Sequence, residues 1–404
     1  MEFPQRAKLT LNHLAIVSFN AIINFCLNGF SFLLIVRHLN EFEIAKYLQY
    51  MAIIPILGTL SSSFQQVTAQ KTNTDEFEKK YSYVYFCLKK SAPFFVVSFL
   101  VIGLLTPRLL GINLFVLSSI LLYLPFSFVV SGLFGLFQRN QLNLKWQVYS
   151  IFENVIRLIL VYIFSITFNS AISMYLAVVL SIGLVSLLVI VTLDPKKFTI
   201  NPHMRSKKQI STLRLATFAA LVQADILIAP LVFSKEVAFK YMFVSNLVKL
   251  MYGVLYVYSQ MVSSEVKSNP GKEKTFFSNP TLVILSIWAI AFIVVNLVPE
   301  VTVSIIEFVL QKDFDVDYRV LNILIINNCL LSLSLIRTFQ RVREGKSTIT
   351  PTLLALAVLY LGPNLVLLSS VTFVYLHLLS IIIYLIFTSP TLEKVSIRNW
   401  KPFA

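Results

Sequence analysis

Charge is scarce in this chain. Asp, Glu, Lys and Arg make up 13% of its 404 residues, about half the ~25% usual in soluble domains. With 57% hydrophobic residues and a mean hydropathy of +0.77, that shortfall excludes a soluble globular protein. Glycine is also rare, with 11 residues. No Walker sequence, glycine-rich phosphate loop, metal-binding histidine pair or nucleophile elbow occurs. This argues against nucleotide hydrolysis by the chain itself and against an enzyme. The three cysteines, Cys26, Cys87 and Cys329, lie in apolar runs without pairing or metal spacing and read as small buried residues. Acids are outnumbered 19 to 34, giving a net charge of +15. The cations fall in short loops between apolar runs, as topology determinants do, so no nucleic-acid partner is expected.

What the chain has is apolar length. Runs of about 20 residues recur, each able to cross a hydrocarbon core of about 30 Å. Twelve spans are expected near 12–36, 44–69, 83–106, 112–137, 146–168, 171–193, 212–233, 238–263, 281–299, 318–340, 350–368 and 371–389. Gly362-Pro363 marks either a kink in the eleventh or the turn after it. The first run is too long for a cleavable signal peptide and flows into the next. The sizeable polar interval is Asp194 to Arg214, with six cations against one acid. It reads as a cytoplasmic joint, dividing the chain into 1–193, a basic linker 194–211, and 212–404. The fold class is therefore an all-α polytopic membrane protein, about 12 transmembrane helices in two parallel six-helix bundles.

Orientation and repetition support that division. With the N-terminus in the cytoplasm, 25 of the 34 cations fall on inner segments and seven on outer ones, Arg157 and Lys249 lying within spans. The positive-inside rule then places both ends in the cytoplasm. Shifting the numbering by 194 carries Lys46-Tyr47 onto Lys240-Tyr241 and Gln66 onto Gln260. Each half has an even number of spans, so the repeat is parallel, its axis along the membrane normal.

Polar side chains inside spans are costly and tend to face protein or a wet cavity. Asn20, Asn24 and Asn28 are four apart and share a helix face. The eighth span carries Asn246, Lys249, Gly253, Tyr256 and Gln260, and the second Thr59, Ser62 and Gln66. These stripes read either as cavity walls or as interhelical hydrogen bonding that ties a bundle together. Four charges stand out. Glu153 and Arg157 are one turn apart, acid before base, the favourable order. Asp225 and Lys249 lie about eight and ten residues below the outer ends of their spans, so a second pair is expected. Two readings stay open: locked pairs that fix register, or Arg157 and Lys249 meeting an anionic group while Asp225 or Glu153 binds a coupling proton or sodium ion. His377 reads as a satisfied core residue. The acidic stretch Lys312 to Asp317 has Tyr318 and Leu324 where a calcium loop needs glycine and glutamate, so no metal site is assigned.

Certain stretches carry a likeness. Val36-Arg37-His38-Leu39 through Tyr47, Gln65-Gln66-Val67-Thr68-Ala69, Gln223-Ala224-Asp225, Tyr241, Lys249, Pro299-Glu300 and Tyr318 together resemble the polysaccharide (O-antigen-type) flippases of the multidrug, oligosaccharidyl-lipid and polysaccharide (MOP) exporter superfamily. Lys46 and Lys240 stand where that family usually has glycine, and Ser263-Ser264 near an expected proline. The resemblance implies a MATE-like fold and alternating access. It also implies an isoprenoid pyrophosphate-linked sugar chain as substrate, a bacterial or archaeal plasma membrane, and neighbouring glycosyltransferases with a polysaccharide polymerase. The leading expectation is a lipid-linked oligosaccharide flippase that needs no cofactor beyond a coupling ion, with membrane lipids around it. Its amides and hydroxyls would meet sugar, and Arg157 and Lys249 pyrophosphate. A drug or cation exporter is the alternative, and a membrane-embedded sugar transferase is disfavoured because the longest outer loop runs only from about Glu300 to Asp317.

Overall fold

In the computed structural model, the described residues are 23–24, 26–71, 88, 91–93, 96, 118, 121–139, 143–192, 209–265, 280–310, 314, 317–343, 348–362 and 369–389. They form helices and their connecting turns. These helices are α1 Cys26–His38, α2 Glu41–Lys71, α3 Tyr123–Arg139, α4 Asn143–Thr167, α5 Ala171–Thr192, α6 Gln209–Val232, α7 Lys235–Glu265, α8 Pro280–Leu297, α9 Pro299–Leu310, α10 Tyr318–Arg343, α11 Ile349–Leu361 and α12 Ser370–Phe387. Among the described residues five helices are long and apolar enough to cross a membrane, or six if the bent pair α8–α9 is one span. The fold is all-α and multi-pass. Most of the third expected span, most of the basic linker and Asn20 lie outside the described residues.

Short polar turns set the helix boundaries. The Glu43 N–H donates to Asn40 Oδ1 at the start of α2 (2.9 Å). The Arg319 N–H donates to Asp317 Oδ1 before α10 (2.9 Å), and the Thr372 N–H to Ser369 Oγ before α12 (3.2 Å). Each side chain satisfies a backbone donor that the first helical turn leaves without a partner. Asn169, after α4, has φ 43°, a left-handed conformation that asparagine tolerates better than most residues. Asp317, part of the acidic stretch, thus serves as a helix cap.

The described chain divides into two compact units, Met1–Tyr50 with Leu60–Lys208, and Met51–Thr59 with Gln209–Ala404. In the first, α3, α4 and α5 pack on one another. Met174, Tyr175, Val178 and Val185 of α5 are buried, and Leu184, Leu187 and Val191 are left outward. In the second, α6 packs against α7, α10 and α11, and α12 against α10 and α11. The centre there is Phe218, Leu221 and Val222 with Leu331, Leu335, Ala355, Ile381 and Tyr384. Gly362 follows α11 so close to α12 that a Cβ would stand 3.1 Å from Leu376. Residues 363–368 lie outside the described residues.

The 194-residue repeat reappears in the helix limits. Adding 194 to the ends of α2, 41 and 71, gives 235 and 265, the ends of α7. The same shift carries the last residue of α1, 38, to 232, where α6 ends, and that of α4, 167, to 361, where α11 ends.

Two expectations are corrected. The segment from Glu300 is no open loop: 299–310 is helical, with Pro299 at its first position where a missing N–H costs least, and it turns 95° from α8. Cys26 is exposed and Cys329 only half-buried. On α1 Asn24 and Asn28 turn toward α4, and Cys26, two residues from each, falls on the opposite side.

Candidate functional site

Each unit encloses its own polar centre. In the first, α4 is apolar outside and polar inside: Phe152, Ile159, Ile163 and Ile166 are exposed, while Ser150, Asn154 and Arg157 recur at four and three residues on the inner face. That face meets the asparagines of the first span rung by rung. Asn24 Nδ2 donates to Ser150 Oγ at 3.1 Å, and Asn154 Nδ2 donates to Asn24 Oδ1 at 2.6 Å. Arg157 Nη1 donates to Asn28 Oδ1 at 2.6 Å. The other guanidinium branch, Nη2, reaches Glu153 Oε1 at 2.5 Å. The phenols of Tyr47 and Tyr123 lie within Coulombic reach of Arg157. The Glu153 and Arg157 side chains keep 17% and 16% of their surface accessible, and Arg157 Nε has no hydrogen-bond partner.

The second centre is closed. Asp225 on α6 is fully buried. The Lys249 ammonium of α7 binds its Oδ1, while Oδ2 accepts from Ser245 Oγ at 2.6 Å and Tyr241 Oη at 3.1 Å. Tyr241, Ser245 and Lys249 recur every four residues, so one stripe of α7 supplies all three donors. An ionised carboxylate persists out of water only when its lone pairs are taken this way. His377 of α12, also fully buried, brings Nδ1 to 3.9 Å from Asp225 Oδ2. His377 is thus a core residue, as expected, and also a third ionisable group at the Asp225 site.

Of the residues singled out in the sequence, Asn24, Asn28, Glu153 and Arg157 come together in one unit, and Asp225 and Lys249 in the other. Asn246 is half-buried on α7, a turn before Lys249. Gln66, Tyr256 and Gln260 lie on α2 and α7, but their side chains, like all of Asn20, fall outside the described residues. Sequence reasoning missed Ser150, Asn154, Tyr241 and Ser245 as partners. Their place on the same helix faces as Arg157 and Lys249 was visible in the spacing, but which of them would be paired was not. Among the described residues no group of three or more His, Cys, Asp and Glu is placed to hold a metal ion.

No protein-family model matches the chain, and no curated protein matches it in sequence. Solved structures do match. An inward-facing multidrug resistance MATE family transporter of the MOP superfamily superposes with TM-score 0.62 at 11% identity, covering 94% of this chain and 96% of that one. Lipid II flippase MurJ in an inward closed conformation gives 0.61 at 13%, covering 92% and 86%. A MOP superfamily transporter from Pyrococcus furiosus, described by the reverse polarity of its binding pocket, gives 0.54 at 12%, covering 93% and 94%. The chain shares the fold of these structures. At these identities the likeness carries architecture alone.

Proposed function

We propose that the protein is a flippase that moves a polyisoprenyl-pyrophosphate-linked oligosaccharide across the plasma (inner) membrane by alternating access, both termini cytoplasmic. The observation that carries this reading is the ladder of the first unit. A partly accessible guanidinium, fixed by Glu153 and Asn28, ends a row of amides and a hydroxyl. Arginine presents a planar donor fork suited to phosphate oxygens, and amides suit sugar hydroxyls. Pyrophosphate competes with Glu153 for Arg157, while the lipid tail stays in the bilayer. Lys249, once released from Asp225, is the second unit's candidate cation for pyrophosphate. Asn20, Gln66, Asn246, Tyr256 and Gln260 complete the sugar-facing set.

Asp225 is the coupling site, and the proton is the ion that suits it. Its oxygens are occupied by an ammonium and two hydroxyls. Sodium must expel Lys249, whereas a proton neutralises the carboxylate and frees Lys249 without needing a vacant ligand position. Glu153 is the second candidate. Glycosyltransferases and a polysaccharide polymerase of O-antigen or lipopolysaccharide type are the expected partners.

The test is flipping in proteoliposomes and complementation of a null strain. Arg157→Ala and Lys249→Ala should each lower flipping roughly 10- to 100-fold, the loss of one charge-assisted interaction of about 1.5–3 kcal/mol. Normal transport by both ends the pyrophosphate role. The second reading, a drug or cation exporter, draws on the MATE neighbour. Binding of cationic dyes to purified protein that Asp225→Asn abolishes would establish it instead.

A further inference from the structure

The helix α9 has three faces, each matched to a different medium. Ile306 and Leu310 are buried, and the segment beyond is anchored: Phe314 packs on Phe239 and Phe243 of α7, and Tyr318 Oη donates to the Pro299 carbonyl (3.1 Å). Opposite the buried face, Val301, Ile305 and Phe308 are 48%, 58% and 67% exposed. They are spaced four and three residues apart and so form one stripe. Glu300, Ser304 and Glu307 occupy the remaining edge, at the same spacing.

The stripe follows the exposed apolar side chains of α8. The preceding helix α8, 18 residues long, rises about 27 Å, close to the ~30 Å hydrocarbon thickness. Its outward residues are apolar, Ile290, Ile293 and Val294 among them, ending with Leu297 at 75% exposure. The chain turns 95° immediately after that point. Extending α8 in a straight line would carry α9 well into water. With α8 near the membrane normal, a 95° turn lets the 12 residues of α9 run along the membrane surface, where Val301 and Ile305 follow Leu297 and Val298 as exposed apolar residues.

We infer that α9 is an interfacial membrane helix: Val301, Ile305 and Phe308 insert among the acyl chains of the surrounding bilayer, while the exposed Glu300 and Ser304 face the aqueous edge and Glu307 turns back to accept the Phe314 N–H. Amphipathic helices lying in the interface bury their apolar face about 5–10 Å at the headgroup–acyl boundary. Here the occupant is bulk lipid. The protein side is already filled by Ile306 and Leu310, and the exposed stripe follows the exposed apolar residues of α8.

Spin labels test this in vesicles of phosphatidylethanolamine and phosphatidylglycerol. In a full chain with Cys26, Cys87 and Cys329 replaced by serine, single cysteines are placed at 300, 301, 304, 305 and 308, with 293 on α8 as the lipid reference. Collision with oxygen, which favours lipid, is compared with collision with a water-soluble nickel chelate. Labels at 301, 305 and 308 should give oxygen-to-nickel ratios near that of 293 and several-fold above those of 300 and 304. Two results overturn the inference: equal nickel access at all five α9 positions, meaning a helix in water, or labels at 305 and 308 shielded from both agents with dipolar coupling between copies, meaning a protein–protein contact. Because the cysteine replacements alone can perturb folding, Phe308→Trp in the chain with its natural cysteines gives an independent measurement. Its added fluorescence should be quenched more by lipids brominated near the headgroup than by those brominated near the chain end, and the absence of any quenching overturns the proposal.

Discussion

At the residue scale, the most consequential contact is Asp225 with Lys249. Removing the cation leaves a buried carboxylate without its counter-charge, which costs about 3–5 kcal/mol where such pairs are broken. Lys249→Ala should therefore lower the unfolding temperature in detergent sharply. The Asp225→Asn, Lys249→Met double variant should regain most of the loss, because neither remaining group is charged. Equal melting of the single variant and the wild type would show that Asp225 has other compensation. Glu43 gives a second residue-level test, ahead of the membrane-spanning part of α2. Burial works to raise its carboxyl pKa, but the Lys46 ammonium and the Ala171 N–H, both bonded to it, outweigh that and hold it below its ordinary value. A carboxylate with a depressed folded pKa contributes stability that is complete above its unfolded value of about 4.3 and lost as pH falls through the folded one. The stability difference between wild type and Glu43→Gln should be constant near neutrality and close below about pH 4. A difference that persists in stronger acid would assign Glu43 a packing role alone.

At the element scale, the asparagine face of the first span and the inner face of α4 behave as one ladder. Interhelical hydrogen bonds in membranes average about 0.6 kcal/mol, so Asn24→Ala and Asn154→Ala should each destabilise modestly and couple by about that amount in a double-mutant cycle. Independent, additive losses would mean that the 2.6 Å contact contributes nothing of its own. The sequence showed that Asn24 and Asn28 share a face, because four-residue spacing fixes that on any helix. It left open whether the face lined water or tied helices together, because that depends on which helix lies opposite. The polar stripe of α7 behaves the same way. Lys249 was legible as an intramembrane cation, but Tyr241 and Ser245 became its neighbours at Asp225 only once α7 lay against α6. The helix α9 was missed because 12 residues interrupted by Glu300 and Glu307 look like a polar connection to a hydropathy reading.

At the scale of the whole molecule, the two units share helix limits under one shift of 194 residues, yet their charges do not follow the repeat. Tyr47 and Tyr241 are equivalent positions, both buried, and each lies near its unit's charged pair. The residue corresponding to Asp225 is Ser31, and the one corresponding to Lys249 is Pro55. One pair sits within a single helix and stays partly accessible; the other joins two helices and is sealed. That difference suits a division of labour in which Arg157 stays available to an anion, while Asp225 carries the ion coupling and holds Lys249 until it is neutralised. It predicts that Asp225→Asn makes flipping in proteoliposomes insensitive to an imposed proton gradient, while Asn28→Ala weakens substrate binding and leaves the gradient response intact. A sodium gradient should affect neither. If Asp225→Asn retained the full response to the proton gradient, the coupling site would lie elsewhere.

What the sequence determined by itself was the class of structure: an all-helical, multi-pass protein with an internal repeat. Hydrocarbon accepts only backbone that satisfies its own hydrogen bonds, so long apolar runs have essentially one solution, and the predicted ends of the second, fifth to tenth and twelfth spans fall within a few residues of those observed, whereas the eleventh helix stops at Leu361, short of the expected 368. Tertiary structure alone decided the partners. His377 lies 152 residues from Asp225 in the sequence, and Arg157 lies 129 from Asn28. Nothing local distinguishes a polar residue that will be paired from one that will not, because the pairing depends on which helices pack together and at what depth.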